Sequence, residues 1–461
     1  MITDCLLSLD IPKAQIKTEP DTLNEYGRDW TGYYKPNASA VVFPKSTEEV
    51  KKIVDWARKN RTALIPSGGR TGLSAAAFAT KGEVIVSLEQ MNKVLEFNPT
   101  NQTILCQAGV ITENLQNYAK EQGYYFPVDF ASRGSSQIGG NIATNAGGIK
   151  VIRYGLMRDW VAALTVVTGT GDILQLNNSL VKNASGYDFR HLFIGSEGTL
   201  GIVTEATLKV TRQPRPLHVM VLGVPDLASI MKVFSRFRDG TDITAFELFS
   251  DLALKHVLAQ GHVQKPFATH SPYYILVEFE ETSPDAVENA LSVFEKCTED
   301  NLIVDGVLAQ SEVQARNFWR LREDISEATV QYTPYKNDIS VTIAKVPEFV
   351  EAIDQVLTRQ YPTFEVVWFG HIGDGNLHIN ILKPTDWAKD AFLKECKKVD
   401  DILFSTINKF SGSISAEHGV GLTKKPFLHY TRSRKEIEFM VQIKKVFDPD
   451  SILNPGKIFD C

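Results

Sequence analysis

Residues 46–59 (STEEVKKIVDWARK) begin on a hydroxyl cap, carry acids in the first turn and bases in the last, and space their apolar positions at helical intervals. That predicts an amphipathic helix. The pattern around it is of short β-branched runs, predicting strands at residues 84–88, 104–110, 161–168 and 202–210. Past Arg212-Gln213-Pro214-Arg215-Pro216 the texture changes, and two prolines within three residues mark a domain boundary. Strands are then predicted at 217–224, 243–249, 273–279, 302–308, 338–344 and 363–369. Helices are predicted at 226–238, 284–296, 312–329 and 347–359. This alternation implies a large antiparallel sheet with helices on one face, an α+β arrangement. Two further helices (387–410 and 434–446) follow, and the Pro/Gly/Asn-rich residues 448–457 predict an extended or turning end. The domains expected are 1–214, 215–415 and a C-terminal segment, 416–461.

A chain of 461 residues suits two or three domains. A net charge of −6 argues against nucleic-acid binding and against charge-driven membrane attachment. No run of eighteen apolar residues suggests a membrane span. The opening Met1-Ile2-Thr3-Asp4-Cys5 lacks the features of a signal peptide. Five scattered cysteines without a CxxC pair fit a reducing, cytoplasmic setting.

The glycine-rich stretches carry the first chemistry. Pro66-Ser67-Gly68-Gly69-Arg70-Thr71-Gly72 follows an apolar strand, and its backbone N–H groups can converge on a pyrophosphate, with Ser67 and Thr71 adding hydroxyls. It is neither a Rossmann fingerprint nor a nucleotide-triphosphate loop. In residues 134–148 every side chain from Gly139 onward is small or a short polar group, apart from Ile142. That suits a backbone lying against a flat ligand. Residues 195–203 (GSEGTLGIV) run from glycines into a strand. Each alone also fits a packed glycine turn; together they imply one extended nucleotide-like ligand.

The second chemistry lies in histidines. His371-Ile372-Gly373-Asp374-Gly375-Asn376-Leu377-His378 places two imidazoles around a turn, on a spacing that a strand–turn–strand brings together and a helix does not. Ser415-Ala416-Glu417-His418-Gly419 adds a carboxylate beside another histidine. Two imidazoles and one carboxylate make a catalytic metal site. The alternative is a glycine-rich hairpin capped by its histidines. His191, His218, His256, His262, His270 and His429 read as structural.

These loops resemble the FAD-binding domain of the vanillyl-alcohol oxidase/p-cresol methylhydroxylase (PCMH-type) flavoproteins. From residue 41 to 457 the sequence is most similar to the branch of FAD-linked D-2-hydroxy-acid dehydrogenases that holds D-2-hydroxyglutarate dehydrogenase, D-lactate dehydrogenase and glycolate oxidase subunits. The resemblance implies a PCMH-type FAD domain, then an α+β substrate (cap) domain with a large antiparallel sheet and a C-terminal helical segment returning to the flavin. It implies FAD contacts from Ser67, Gly68, Gly69, Thr71 and Gly72 in the first loop. In the second and third loops the implied contacts are Gly139, Gly140, Asn141, Thr144, Gly148, Gly201 and Ile202, with Asn454 near the end.

The same resemblance implies His371, His378 and Glu417 as ligands of a divalent metal, zinc first and manganese second. His418 becomes the base that takes the hydroxyl proton while the C2 hydride passes to flavin N5. Arg322 and Ser326, four apart on one predicted helix, match substrate positions; the hydroxyglutarate branch has threonine where this chain has Ser326. Lys336 and Asn380 match two more. Apart from the resemblance, Arg322 and Lys336 read as surface charges. The implied activity is oxidation of a D-2-hydroxy acid, D-2-hydroxyglutarate first, then D-lactate or glycolate. Electrons would leave to a quinone, an electron-transfer flavoprotein or a cytochrome, and a homodimer is compatible with this. The rivals are a non-redox flavin transferase, which has a histidine-rich run in place of the residue 371–378 pattern, and a flavin-binding electron-transfer subunit, which would lack intact metal ligands.

Overall fold

Ser46 caps the helix Thr47–Asn60 by accepting from the Glu49 N–H at 3.2 Å, and Val50, Ile53, Val54 and Ala57 are fully buried along one stripe. Each such branched aliphatic contributes roughly 1.5–3 kcal/mol on burial. That is ample reason for the stripe to face a sheet. The computed structural model describes residue 6 and residues 9–461, so the segment Met1 to Cys5 lies outside the described residues.

The chain divides into two units. The first comprises the chain up to Gly148, Gly155–Gln213 and Glu417–Cys461. It holds a four-stranded sheet, β1 (Ile16–Lys17), β2 (Ala38–Val42), β3 (Leu64–Ser67) and β4 (Glu83–Ser87), in the order β1-β2-β4-β3, with β2, β4 and β3 parallel. A second sheet is antiparallel, ordered β5-β6-β10-β8-β9 from β5 (Val94–Asn98), β6 (Thr103–Gln107), β8 (Val161–Thr168), β9 (Ile173–Leu176) and β10 (Gly201–Lys209). The short β7 (Tyr124–Tyr125) pairs with β11 (Thr211–Arg212). An apolar cluster runs from Val42 and Leu64 to Ile202 and Leu453 in this unit, with smaller ones around Val41 and Ile65 and around Leu428 and Ile458.

The second unit comprises Ile149–Tyr154 and Pro214–Ala416. Its seven strands are β12 (Leu217–Val224), β13 (Asp242–Ser250), β14 (Tyr273–Glu280), β15 (Asp305–Leu308), β16 (Tyr335–Ser340), β17 (Val366–Gly370) and β18 (Asn376–Ile381). They pair antiparallel throughout, in the order β15-β12-β14-β13-β17-β18-β16. The α+β class with a large antiparallel sheet is therefore what forms, but helices cover both of its faces. Phe246 meets Phe234 of the helix Leu227–Gly240, while Phe249, on the opposite side of the strand, packs under the helices Asp251–Leu258 and Glu312–Glu323. All of β13 but its first residue is buried, as a strand covered on both sides is.

Several boundaries shift. The 312–329 helix breaks at Asp324, whose ψ of −3° separates Glu312–Glu323 from Ile325–Val330. Residues 387–410 form two helices, Lys389–Lys397 and Asp400–Lys409, with Val399 at the break. The strand predicted at 302–308 shortens to β15. Left-handed Asn301 ends the preceding helix, and the Leu302 N–H is used up on the Cys297 carbonyl. Residues 343–345 leave the strand for a 3-10 turn. The glycine-rich stretch 134–148 contains a short helix, Ile138–Thr144, ended by left-handed Asn145. Among the described residues no helix is long and apolar enough to cross a membrane, and Cys106, Cys297, Cys396 and Cys461 are free thiols.

Candidate active site

In the first unit, β3 and the turn after it, the helix Ile138–Thr144 and the start of β10 line an open cleft of about 900 Å³. Glycine is required here for two different reasons. A Cβ on Gly69 would fall 2.0 Å from the Ser135 carbonyl oxygen, and one on Gly139 would fall 2.7 Å from the Ala108 Cβ, so these glycines let the walls close. A Cβ on Gly140 would meet nothing within 4 Å; its missing side chain leaves room in the cleft itself.

Ser67, Gly68, Thr71, Gly72, Thr144, Gly201, Ile202 and Asn454 also line the cleft. Four buried polar atoms there have no hydrogen-bond partner among the described residues: Asp29 Oδ2, Ser67 Oγ, Gln137 Oε1 and Asn454 Oδ1. Such orphans are costly unless a ligand satisfies them. A narrow, glycine-walled cleft, largely apolar but carrying unspent polar atoms, fits a dinucleotide. Asn141 is spent on the protein, donating to Thr112 Oγ1 at 2.6 Å. Gly148 is not among the lining residues; its φ of +119° and the nearby Asp129 carbonyl give it a backbone reason instead.

Sequence reasoning passed over two acids in this unit. Glu197 sits inside the Gly-rich 195–203 stretch in a left-handed conformation, nearly fully buried, and burial raises its carboxyl to about 7. It accepts from the Val420 N–H at 2.6 Å and the Gly421 N–H at 2.8 Å. Asp29 is likewise buried, which raises its carboxyl; its Oδ1 accepts from the Thr31 N–H while Oδ2 has no hydrogen-bond partner among the described residues. Glu197 was legible only as the one acid in a run of small residues, and Asp29 carries no comparable mark. Asn454 ties the C-terminal segment to the same wall, donating to the Ala76 and Glu197 carbonyls. In this unit the Glu417 and His418 side chains lie 3.8 Å apart and are partly buried.

In the second unit the register of β16 against β18 pairs Lys336 with Asn380 and Asp338 with His378, so these four side chains share one sheet face. His371 stands at the entry of the turn Ile372–Asp374, which Gly375 closes at φ +85°; a Cβ there would strike the Val341 carbonyl oxygen at 2.1 Å. The two rings come within 5.4 Å, centroid to centroid. Asp338, fully buried and unremarked in the sequence, lies 3.7 Å from His378 Nδ1. Its carboxylate accepts from Asn376 Nδ2 at 2.8 Å and from the Ala416 N–H at 3.1 Å.

Arg322 reaches this face from the helix Glu312–Glu323, its guanidinium carbon 4.9 Å from the Phe369 ring centroid. Its Nε is 2.9 Å from Glu247 Oε2 yet not aligned for a hydrogen bond, and Nη2 has no hydrogen-bond partner among the described residues. Asn380 Nδ2 is buried and in the same state. Burial pushes the Lys336 ammonium below the ordinary lysine value. Arg322 is thus a buried cation and Lys336 a partly buried one, and neither is a simple surface charge. Ser326 is exposed in the following helix, Ile325–Val330, on the far side of the break at Asp324.

Two family models match the chain: the FAD binding domain over residues 38–177 and the C-terminal domain of FAD linked oxidases over residues 213–458. The chain belongs to the FAD-linked oxidase family. It is 58% identical over 97% of both chains to a D-2-hydroxyglutarate dehydrogenase of Stutzerimonas stutzeri. A D-2-hydroxyglutarate dehydrogenase of Xanthomonas citri pv. viticola is 54% identical over 99% of this chain and 97% of its own length. The fold is also that of p-cresol methylhydroxylase with substrate bound, at a TM-score of 0.75 and 13% identity over 100% of this chain and 97% of the other. The PCMH-type reading of the fold therefore stands. As a member of the FAD-linked oxidases the chain is an FAD-dependent oxidoreductase. The non-redox transferase and the electron-transfer subunit lose their ground.

Proposed function

We propose that this FAD-linked oxidase converts D-2-hydroxyglutarate to its 2-oxo acid with help from a divalent metal. One observation carries the reading: Arg322 and Asn380 bring buried donors without hydrogen-bond partners among the described residues to the sheet face that holds His378, and Lys336 adds a partly buried ammonium there. Arg322 has one acid, Glu247, in an unaligned contact, and its unspent Nη2 together with the Lys336 ammonium calls for further anionic partners. A dicarboxylate supplies two. The names of the two bacterial relatives point to the same substrate.

FAD, held by the glycine-walled cleft, supplies the acceptor for the C2 hydrogen and its electron pair. A divalent ion, zinc first and manganese second, would take His371, His378 and Glu417 as ligands and lower the pKa of the substrate hydroxyl. Glu417 follows directly on Ala416, which is bonded to the Asp338 facing His378. Neutral His418 takes the hydroxyl proton on a ring nitrogen. Arg322 and Lys336 hold carboxylates, with Asn380 donating, and Ser326 is assigned to the same lining. Residues 1–214 serve the flavin, 215–415 the substrate, and 416–461 return to the flavin. Reduced enzyme passes electrons to a quinone, an electron-transfer flavoprotein or a cytochrome in the cytoplasm.

The test is anaerobic flavin bleaching. D- and L-forms of 2-hydroxyglutarate, lactate and malate are added to the yellow enzyme before and after EDTA. Fast bleaching by D-2-hydroxyglutarate, lost with EDTA and in His418→Ala, is the expected result. An enzyme that no 2-hydroxy acid reduces, with or without metal, sinks the proposal.

A further inference from the structure

One buried carboxylate in the second unit touches two of the groups to which the proposed reaction assigns a role. Glu247, on β13, is 1% exposed; its Oε1 lies 2.8 Å from His371 Nδ1 and its Oε2 lies 2.9 Å from Arg322 Nε. We propose that Glu247 is a positioning residue that orients the metal-binding His371 and the anion-binding Arg322 together. The inference rests on the metal-and-anion reading given above.

A carboxylate accepts and does not donate, so its hydrogen bond fixes the proton of His371 on Nδ1. That puts the acceptor lone pair of the ring on Nε2, the atom a metal would take, and carboxylate partners of this kind also raise the basicity of the imidazole. The second oxygen keeps the Arg322 guanidinium in place by charge, leaving Nη2 unspent for a substrate carboxylate.

The alternative is that Glu247 simply neutralises a buried arginine. A neighbour on the same sheet face shows what such a structural acid looks like. Glu278, on β14, is 4% exposed, forms an ion pair with Lys150, and accepts from Thr244 Oγ1 and from Trp319 Nε1 at 3.0 Å. Trp319 and Arg322 stand three apart on one helix, so the helix Glu312–Glu323 leans on both acids. Both Glu278 oxygens are spent in aligned hydrogen bonds. At Glu247 the arginine contact is unaligned, leaving Oε2, Arg322 Nε and Arg322 Nη2 without hydrogen bonds. Geometry optimised for stability alone would not stop there.

The test strips the FAD-loaded enzyme with EDTA and titrates Zn²⁺ or Mn²⁺ by competition with a chelating dye. Glu247→Gln keeps the volume but presents an amide to two partners that both need a carboxylate. The expected loss of metal affinity is about 10-fold for Glu247→Gln and about 100-fold for Glu247→Ala, the span found for carboxylates behind metal-bound histidines. At saturating metal the KM for D-2-hydroxyglutarate also rises, by more than kcat falls. Glu278→Gln, the control, lowers Tm and leaves metal affinity unchanged. Equal affinity in Glu247→Gln and wild type, or an equal loss in Glu278→Gln, overturns the proposal. A wild-type enzyme that binds no metal overturns the metal reading and this inference with it, a separate outcome. Should the variants not fold, ring-¹⁵N spectra of the wild-type apo-metal enzyme at pH 8 decide: a His371 proton on Nδ1 supports the assignment, and one on Nε2 overturns it.

Discussion

Glu197 Oε1 accepts from the Val420 N–H at 2.6 Å and so pins the glycine-rich wall before β10 to the turn two residues after His418. The second oxygen does the same for Gly421. Burial dominates the energetics of this carboxyl and raises it from an ordinary 4.5 to about 7. The folded protein therefore holds a proton that the unfolded chain releases. The sign follows: stability falls as pH rises from 4.5 to about 7 and levels off above. The full effect is about 3 kcal/mol at most. Glu197→Gln removes this slope and loses one of the two N–H contacts. Thermal unfolding of both proteins between pH 5 and 8 checks it; parallel Tm curves would contradict the linkage.

Two glycines of the flavin cleft separate folding from binding. Gly140→Ala puts a methyl group into open cleft space, so Tm of the flavin-free protein stays put while FAD affinity drops. Gly69→Ala drives its methyl into the Ser135 carbonyl oxygen and costs about 1–3 kcal/mol of stability, as overpacking does. Flavin fluorescence titration and thermal melts read the two effects. Equal Tm losses in both variants would show that Gly140 serves the fold instead.

Much of this was legible in the sequence because its signals are local. The cap at Ser46, the β-branched runs and the glycine stretches depend on neighbours within a few residues. What was illegible depends on register and on long-range pairing. Asp338 acquires its place only when β16 aligns against β18, and Glu247 only when β13 carries it to a histidine 124 residues away. Arg322 looked like a surface charge until the helix Glu312–Glu323 laid it on the sheet. The helix inside 134–148 was hidden because glycine propensity argues for a loop, while packing of Gly139 on Ala108 decides otherwise.

Arg322→Lys tests whether a fork-shaped cation is needed or any charge suffices. Lysine keeps the charge opposite Glu247 but loses the unspent Nη2 donor. KM for D-2-hydroxyglutarate should rise about 10- to 100-fold, the worth of one charged hydrogen bond of about 1.5–3 kcal/mol. Arg322→Ala leaves Glu247 buried without its cation and should destabilise the fold by about 3–5 kcal/mol as well. Steady-state kinetics with urea unfolding separates the two. An unchanged KM in Arg322→Lys would remove the arginine from substrate binding.

Lys336 gives the reaction a pH dependence of its own. Burial holds its ammonium below the ordinary 10.5, so the cation is lost at a lower pH than in an exposed lysine. A substrate carboxylate binds the charged form, so KM rises as pH climbs through the lowered pKa, before 10.5 is reached. Lys336→Met should start from a raised KM and show no such rise, because it has no proton to lose. Lys336→Arg keeps its charge across the range and should stay flat with a lower KM than the methionine variant. KM measured from pH 7 to 10 in the three proteins decides. The same alkaline rise in Lys336→Met would assign the titration to another group.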